Sequence, residues 1–443
     1  MLRRTGAGRD RRLLRCRRRG QGRRQEGMRL RGCRVSVAAS DAAPSHYEPP
    51  RLLFVISVLG VTQILAWGSS YYLLAVLAQP IASDTGWPLA WVVGGLSLGL
   101  LVAGIVSPRV GDSIQRLGGR LVLATSAVFL ALGLAGLALS PNLPFYIISW
   151  LVLGIGMGAG LYDAAFATLG RLYGQRARTA IASLTLFGGF ASTVCWPLSA
   201  LLVSEFGWRN ACLIYAAIHV VVLLPLYVFA LPTEPKRSLR AGFVPASHAG
   251  AAAPPAAATS KLLFGLVALV ITISSMISAM LSVHLLTILQ AREIALAAAV
   301  ALGAIVGPSQ VGARAIEMLI SRCHHPIWTK FASTVFVAIG GGMLWLGFPV
   351  IAAALIFYGA GIGIESIARG TLPLAIFGEA RYASIMGRIA MPSLIMQAAS
   401  PSLGALLIDG LGISGALAAL FAIALLNVLL VFILFVLLRQ ERL

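Results

Sequence analysis

The chain has 443 residues, 58% of them hydrophobic and 11% charged, with a mean hydropathy of +0.87. A composition so apolar and so poor in charge excludes a soluble domain of this length. Nor does the formal charge of +20 point to nucleic acid, because half of it (+10) sits in residues 1–50. That tail holds 14 Arg, few apolar residues and no apolar core of the kind a signal peptide needs. It reads as a disordered basic arm, or as residues ahead of a later start at Met28.

Beyond the tail come apolar stretches of about 20 residues, enough to cross a hydrocarbon core of roughly 30 Å. In chain order they lie near 52–79, 89–108, 121–140, 143–168, 180–204 and 210–231, then 261–289, 294–312, 327–347, 349–377, 383–408 and 413–438. The expected fold is therefore all-α: twelve transmembrane helices in two pseudo-symmetric six-helix bundles, residues 51–231 and 261–443. The Ala- and Pro-rich linker 232–260 between them reads as unstructured. Outside the tail, fifteen Lys and Arg, Arg314 and Lys330 among them, fall in loops on one side, against Arg209 and Arg292 on the other. Basic loops favour the cytoplasm, so both termini and the linker are placed there, in a cell membrane of the bacterial inner-membrane type. The five Cys show no CxxC spacing, and no GxSxG, HExxH or phosphate-binding glycine loop is present. No cofactor, no metal and no enzymatic activity are expected.

The two halves resemble each other. GAGLYDAAFATL (158–169) overlies GIGIESIARGTL (361–372) at an offset of 203, Gly174 matches Gly378 at 204, and ALLVSEFGW (200–208) matches ALLIDGLGI (405–413) at 205. Two six-helix halves joined by a long linker suit a carrier whose bundles rock about a site between them. The loop GDSIQRLGGR (111–120) follows a pattern of the major facilitator superfamily in Gly111, Arg116, Gly118 and Arg120, with Gln115 at a usual Asp and Asp112 close by. FGWRNA (206–211) is a second trace of that family. Within it, SDTGWPLAW (83–91) resembles the acid, Gly, Trp signature of monocarboxylate-porter-like members, with Thr85 between Asp84 and Gly86. The resemblance covers about 50–440 and implies alternating access, with Gly111, Asp112, Arg116 and Arg120 gating one end. Arg314 and Glu317, in the second-half counterpart of that loop, are expected to gate with them, Glu317 bridging to Arg314 or to the first half.

Ionisable residues at bilayer depth are costly and usually border a pathway. Glu365 and Arg369, four apart, can pair on one face of the tenth span. Arg369 then offers a planar fork to a carboxylate, while Glu365 holds it when the site is empty and takes a proton when cargo displaces it. Asp163, without an evident basic partner nearby in sequence, is a second proton-coupling candidate. Gln63, Trp67, Tyr71 and Tyr72 give the first span a polar and aromatic density suited to lining a site, and His284 is a further binding candidate. The expected protein is a monomeric secondary transporter of a small organic anion, carboxylate-like and proton-coupled, with a small-molecule substrate, protons and lipid as partners and no nucleic acid. The alternatives are an exporter of amphipathic drugs or metabolites, and a receptor built on a transporter scaffold.

Overall fold

The computed structural model describes residues 52–233 and 257–440. The expectations made for the tail 1–50, and for all but the edges of the linker 232–260, fall outside those residues. Every long described element is helical, and eight helical stretches are long and apolar enough to cross a membrane. Leu143–Ala230 holds three spans and Tyr382–Gln440 two, six stretches hold one each, and with the first span, built of two shorter helices, twelve crossings result.

The breaks have local causes. The first span is α1 (Leu52–Gly68) and α2 (Leu74–Thr85). Between them the Ser69 and Ser70 hydroxyls bond back to the Leu65 and Ala66 carbonyls at 2.7 and 2.6 Å, offering the backbone an alternative to its helical ladder. Helices α3 (Leu89–Leu117) and α4 (Gly119–Ala138) are continuous. The fourth span is α5 (Leu143–Gly160) followed by α6 (Tyr162–Tyr173), divided at the extended residue Leu161. The carbonyl of Gly160 freed there accepts the Gln63 amide of α1 at 2.6 Å, which settles a backbone group that lipid could not. Next come α7 (Ala177–Gly189) and α8 (Ala191–Ile218), the latter turned at Gly207, where φ is 76°. Short π-helical turns at His219–Leu223 and Leu226–Ala230 complete the sixth span.

The second half has α9 (Ala257–Gln290), α10 (Leu296–Gly303), α11 (Val306–Ile320), α12 (Pro326–Trp345), α13 (Ile351–Phe377) and α14 (Tyr382–Gln440). Helix α9 starts at Ala257, four residues inside the stretch read as linker. Helix α14 holds the last two spans and turns between them at Gly412, with φ of 68°. Gly207 and Gly412 are the pair aligned at offset 205, and Gly174 and Gly378, aligned at 204, both have positive φ. The internal repeat is thus written into the backbone at positions where only glycine turns cheaply.

The bundles meet most tightly at one end, called here the basic end, where residues 117–119, 174 and 378–381 lie. Gly111 of α3 and Gly387 of α14 are in backbone contact: a Cβ on Gly111 would come within 2.5 Å of the Ala383 carbonyl, and one on Gly387 within 2.3 Å of that of Ser107. Gln115 Nε2 donates to the Ala380 carbonyl at 3.0 Å, and the Tyr382 ring of α14 packs closely on Gly170 of α6. This end is closed.

Candidate functional site

Two ion pairs are largely enclosed by the helices, and one of them crosses between the bundles. Asp163 stands in the first turn of α6, where the helix dipole favours an anion. Arg369 reaches it from α13 with both arms of its fork, Nε to Oδ1 at 2.9 Å and Nη2 to Oδ2 at 2.8 Å. The side chains are 13% and 15% exposed, and the pair joins one bundle to the other. Arg369 Nη1 also donates to Ser275 Oγ of α9 at 3.3 Å, and Ser275 shares a 2.7 Å bond with Ser393 of α14. Asp163 also lines a small cavity together with Ser107, Gly111, Gly158 and Gly387.

One turn earlier on α13, Glu365 does not pair with Arg369, contrary to the four-residue spacing. Its Oε1 accepts Lys330 Nζ at 2.6 Å and its Oε2 the Ser333 hydroxyl at 2.9 Å, both from α12. Lys330 also donates to the Val270 carbonyl at 3.2 Å and Ser274 Oγ at 2.8 Å, so its three protons are used. Lys330 is fully buried, which corrects its assignment to a cytoplasmic loop. Its depth was legible in principle, since Lys330, Ser333 and Thr334 form a polar stripe at helical spacing. Asn427 donates to the same Ser274 at 2.9 Å.

Arg314 is also buried, at 6% exposure, which corrects both its placement in a loop and its expected pairing with Glu317. Nε donates to the Gly363 carbonyl at 3.2 Å, Nη1 to the Thr185 carbonyl of α7 at 3.1 Å and Nη2 to Gln310 Oε1 at 3.2 Å. Two cations are buried outright among the described residues, Lys330 and Arg314, and Arg314 has no carboxylate partner. It lies within electrostatic reach of Tyr72 and Tyr162, and the Tyr162 hydroxyl donates to the same Thr185 carbonyl at 3.4 Å. Trp67 packs on Tyr71 and Tyr162 with ring centroids 5.2 and 5.0 Å apart, and Tyr71 meets Tyr72 edge-on at 5.3 Å. Gln63 is wholly buried and saturated by Gly160 and by the Trp67 indole, so it fixes the aromatic group in place.

His284 is not brought to this cluster. Its Nε2 bonds the Pro401 carbonyl at 3.0 Å and its ring sits beside Met280, Ile288 and Gly404 inside the second half. Of the gating candidates, Gly111 is in the closed contact, Asp112 stands 4.0 Å from Arg388, Arg116 is exposed and Arg120 donates to Thr233 at 2.5 Å. Glu317 accepts from Thr329 at 2.7 Å and faces His324 at 3.1 Å rather than Arg314.

At the other end, the SDTGWPLAW and FGWRNA motifs touch. Trp208 Nε1 donates to Asp84 Oδ2 at 2.9 Å, and Arg209 pairs with the same oxygen while lying over the Trp208 ring, 4.2 Å from its centre. The Trp208 bond first, and Arg209 second, hold the Asp84 carboxyl below the ordinary carboxylate range. A lowered value means the clasp is complete above that range and is lost only as pH falls through the lowered value. The Trp208 indole N–H resonance, assigned with Trp208→Phe, is therefore expected to stay put from about pH 8 to about pH 5 and to move only in stronger acid. Movement centred near neutrality would contradict the clasp.

The profile of the Major Facilitator Superfamily matches residues 59–390. Monocarboxylate transporter 11 of Homo sapiens is 30% identical over 197 residues, which is 42% of this chain and 39% of that protein. Niacin transporter NiaP of Acinetobacter baylyi is 25% identical over 192 residues, 42% of each chain. The chain thus spans about two fifths of the length of the curated relatives it matches. The crystal structure of the human organic anion transporter MFSD10 (TETRAN) superposes with a TM-score of 0.68 at 18% identity, covering 87% of this chain and 100% of that one, and shares its fold. With a family profile running through both halves and a backbone built on the same plan, this multi-pass membrane protein belongs to the Major Facilitator Superfamily.

Proposed function

We propose that the protein is a proton-coupled carrier of a small organic anion, carboxylate in type, that works by alternating access with its basic end in the cytoplasm. The observation that carries this reading is the buried Arg314 guanidinium, which has carbonyl and amide partners only and looks toward a wall of aromatic rings. A buried cation without a counter-ion is costly, and a bound carboxylate is the natural neutraliser. The names of the human monocarboxylate transporter and the bacterial niacin transporter point the same way for the cargo.

Arg369 differs from Arg314 in being neutralised already. Opening the basic end requires α6 and α13 to part, which would leave Asp163 and Arg369 as two separated charges. A proton on Asp163 removes one of them, and the cargo carboxylate, passing from Arg314, can then meet the second at Arg369. One proton and one monoanion cross together without net charge. The Lys330–Glu365 pair, locked by Ser274 and Ser333, holds the Arg369-bearing face of α13 in place and is a second proton-coupling candidate. Arg116, Arg120 and Asp112 serve the closed end as gating residues around the Gly111 contact.

The test is Arg314→Gln and Arg314→Lys, assayed by binding and counterflow of labelled monocarboxylates in proteoliposomes. Loss of the bidentate fork should weaken affinity about tenfold or more in both, because a point charge does not replace it. Unchanged affinity in Arg314→Gln would overturn the anion seat.

A further inference from the structure

A separate cluster at the basic end is not used by this mechanism. His324, in the short turn between α11 and α12, has its Nδ1 3.1 Å from the Ile320 carbonyl and its Nε2 3.1 Å from both Glu317 Oε1 and Thr329 Oγ1. A carbonyl and a carboxylate can only accept. Thr329 has spent its one proton on Glu317, at 2.7 Å, so toward His324 it too can only accept. Both ring nitrogens therefore face acceptors, and only the doubly protonated imidazolium satisfies both. In the neutral ring one nitrogen would turn a lone pair on an acceptor. The side chains are 22% and 5% exposed, so Glu317 has little water to fall back on.

Across the cleft, at the start of α7, stands Arg178. Its Nη2 is buried with no partner, and Glu317 is near enough to act on it electrostatically. Among the described residues, the side chains facing His324 and Glu317 are thus Thr329 from α12 and Arg178 from α7. The other charges on these helices point away, Arg314 to Thr185 and Lys330 to Glu365.

We propose that His324 and Glu317 form a second proton-binding site that sets how firmly the basic end closes. Protonated His324 holds the Glu317 carboxylate within its own bundle. Neutral His324 releases it to Arg178 of the other bundle and adds a cross-cleft ion pair to the closed state. Histidine changes charge between about pH 5 and 8, so the basic end should open more readily as the solution on that side acidifies. A carrier delivering protons there would be accelerated by its own product and held shut at higher pH.

The device can be read without cargo. Spin labels at Gln175→Cys and Arg439→Cys, both exposed at the basic end, in full-length protein with its native cysteines replaced, report the separation of the bundles by double electron–electron resonance. From about pH 8 to about pH 5.5 the open fraction of the parent protein should rise about fivefold, the size of a modest coupling. His324→Gln should lose that rise, and Arg178→Gln should be already open at the higher pH and show little further change. A parent protein with no rise, or a rise that survives in either variant, would overturn the proposal. The Arg314 test concerns anion affinity and is unaffected by either result.

Discussion

Asp163→Asn and Arg369→Gln are each expected to cost the purified protein about 3 kcal/mol of stability, because each leaves a largely buried charge facing a neutral amide. Asp163→Asn also mimics the protonated carboxyl, so it should loosen the basic end as well as lower the melting temperature. The double variant leaves two amides facing each other and should recover most of the loss, giving a strongly non-additive cycle. Uptake should stay near background in all three, since the proposed cycle uses the Asp163 proton and the Arg369 charge together. Thermal unfolding and uptake on the same four proteins decide the matter. Additive stability losses would show that the two side chains do not act as a pair.

The second large effect is steric. A Cβ at Gly387 would lie 2.3 Å from the Ser107 carbonyl and 3.0 Å from Gly111 Cα, backbone atoms that cannot swing aside. Gly387→Val should therefore part α3 from α14 at the basic end, and overpacking of this kind costs about 1–3 kcal/mol. Applied to one of two alternating states, that is about a 5- to 150-fold shift in population, with a comparable fall in transport. Gly111→Val, aimed at the Ala383 carbonyl 2.5 Å away, should behave the same way. Distance distributions between labels on the two bundles would check both. Wild-type uptake with the end still closed would mean that this contact does not govern the cycle.

Much of the fold was legible because spanning a bilayer needs only composition and length, and those are local. The positive-φ glycines at 174, 207, 378 and 412 fall where the internal repeat aligns them, so even the turns could be located. The charge pairing was not legible from spacing. Glu365 and Arg369 are neighbours along α13, yet each finds its partner on another helix, Lys330 on α12 and Asp163 on α6. The repeat held a clue, because aligning 158–169 with 361–372 sets Asp163 beside the Glu365 position, and equivalent helices of two facing bundles meet. Lys330 and Arg314 resemble loop charges because each follows or precedes a short polar turn, and a hydropathy average hides a single buried cation. Aromatic density in the first span marks Trp67, Tyr71 and Tyr72, whereas Tyr162, which completes their cluster, is a single aromatic beside Asp163 in an Ala- and Gly-rich stretch.

If the buried Asp163–Arg369 pair between the bundles takes up and releases one proton for each anion carried, proton and cargo move in the same direction. Proteoliposomes loaded with a pH-sensitive dye, given a panel of labelled monocarboxylates under an imposed pH gradient, test it most directly. At least one carboxylate should enter with matching internal acidification, and that acidification should be lost in Asp163→Asn. Carboxylate uptake with no proton movement, or with acidification intact in Asp163→Asn, would contradict it.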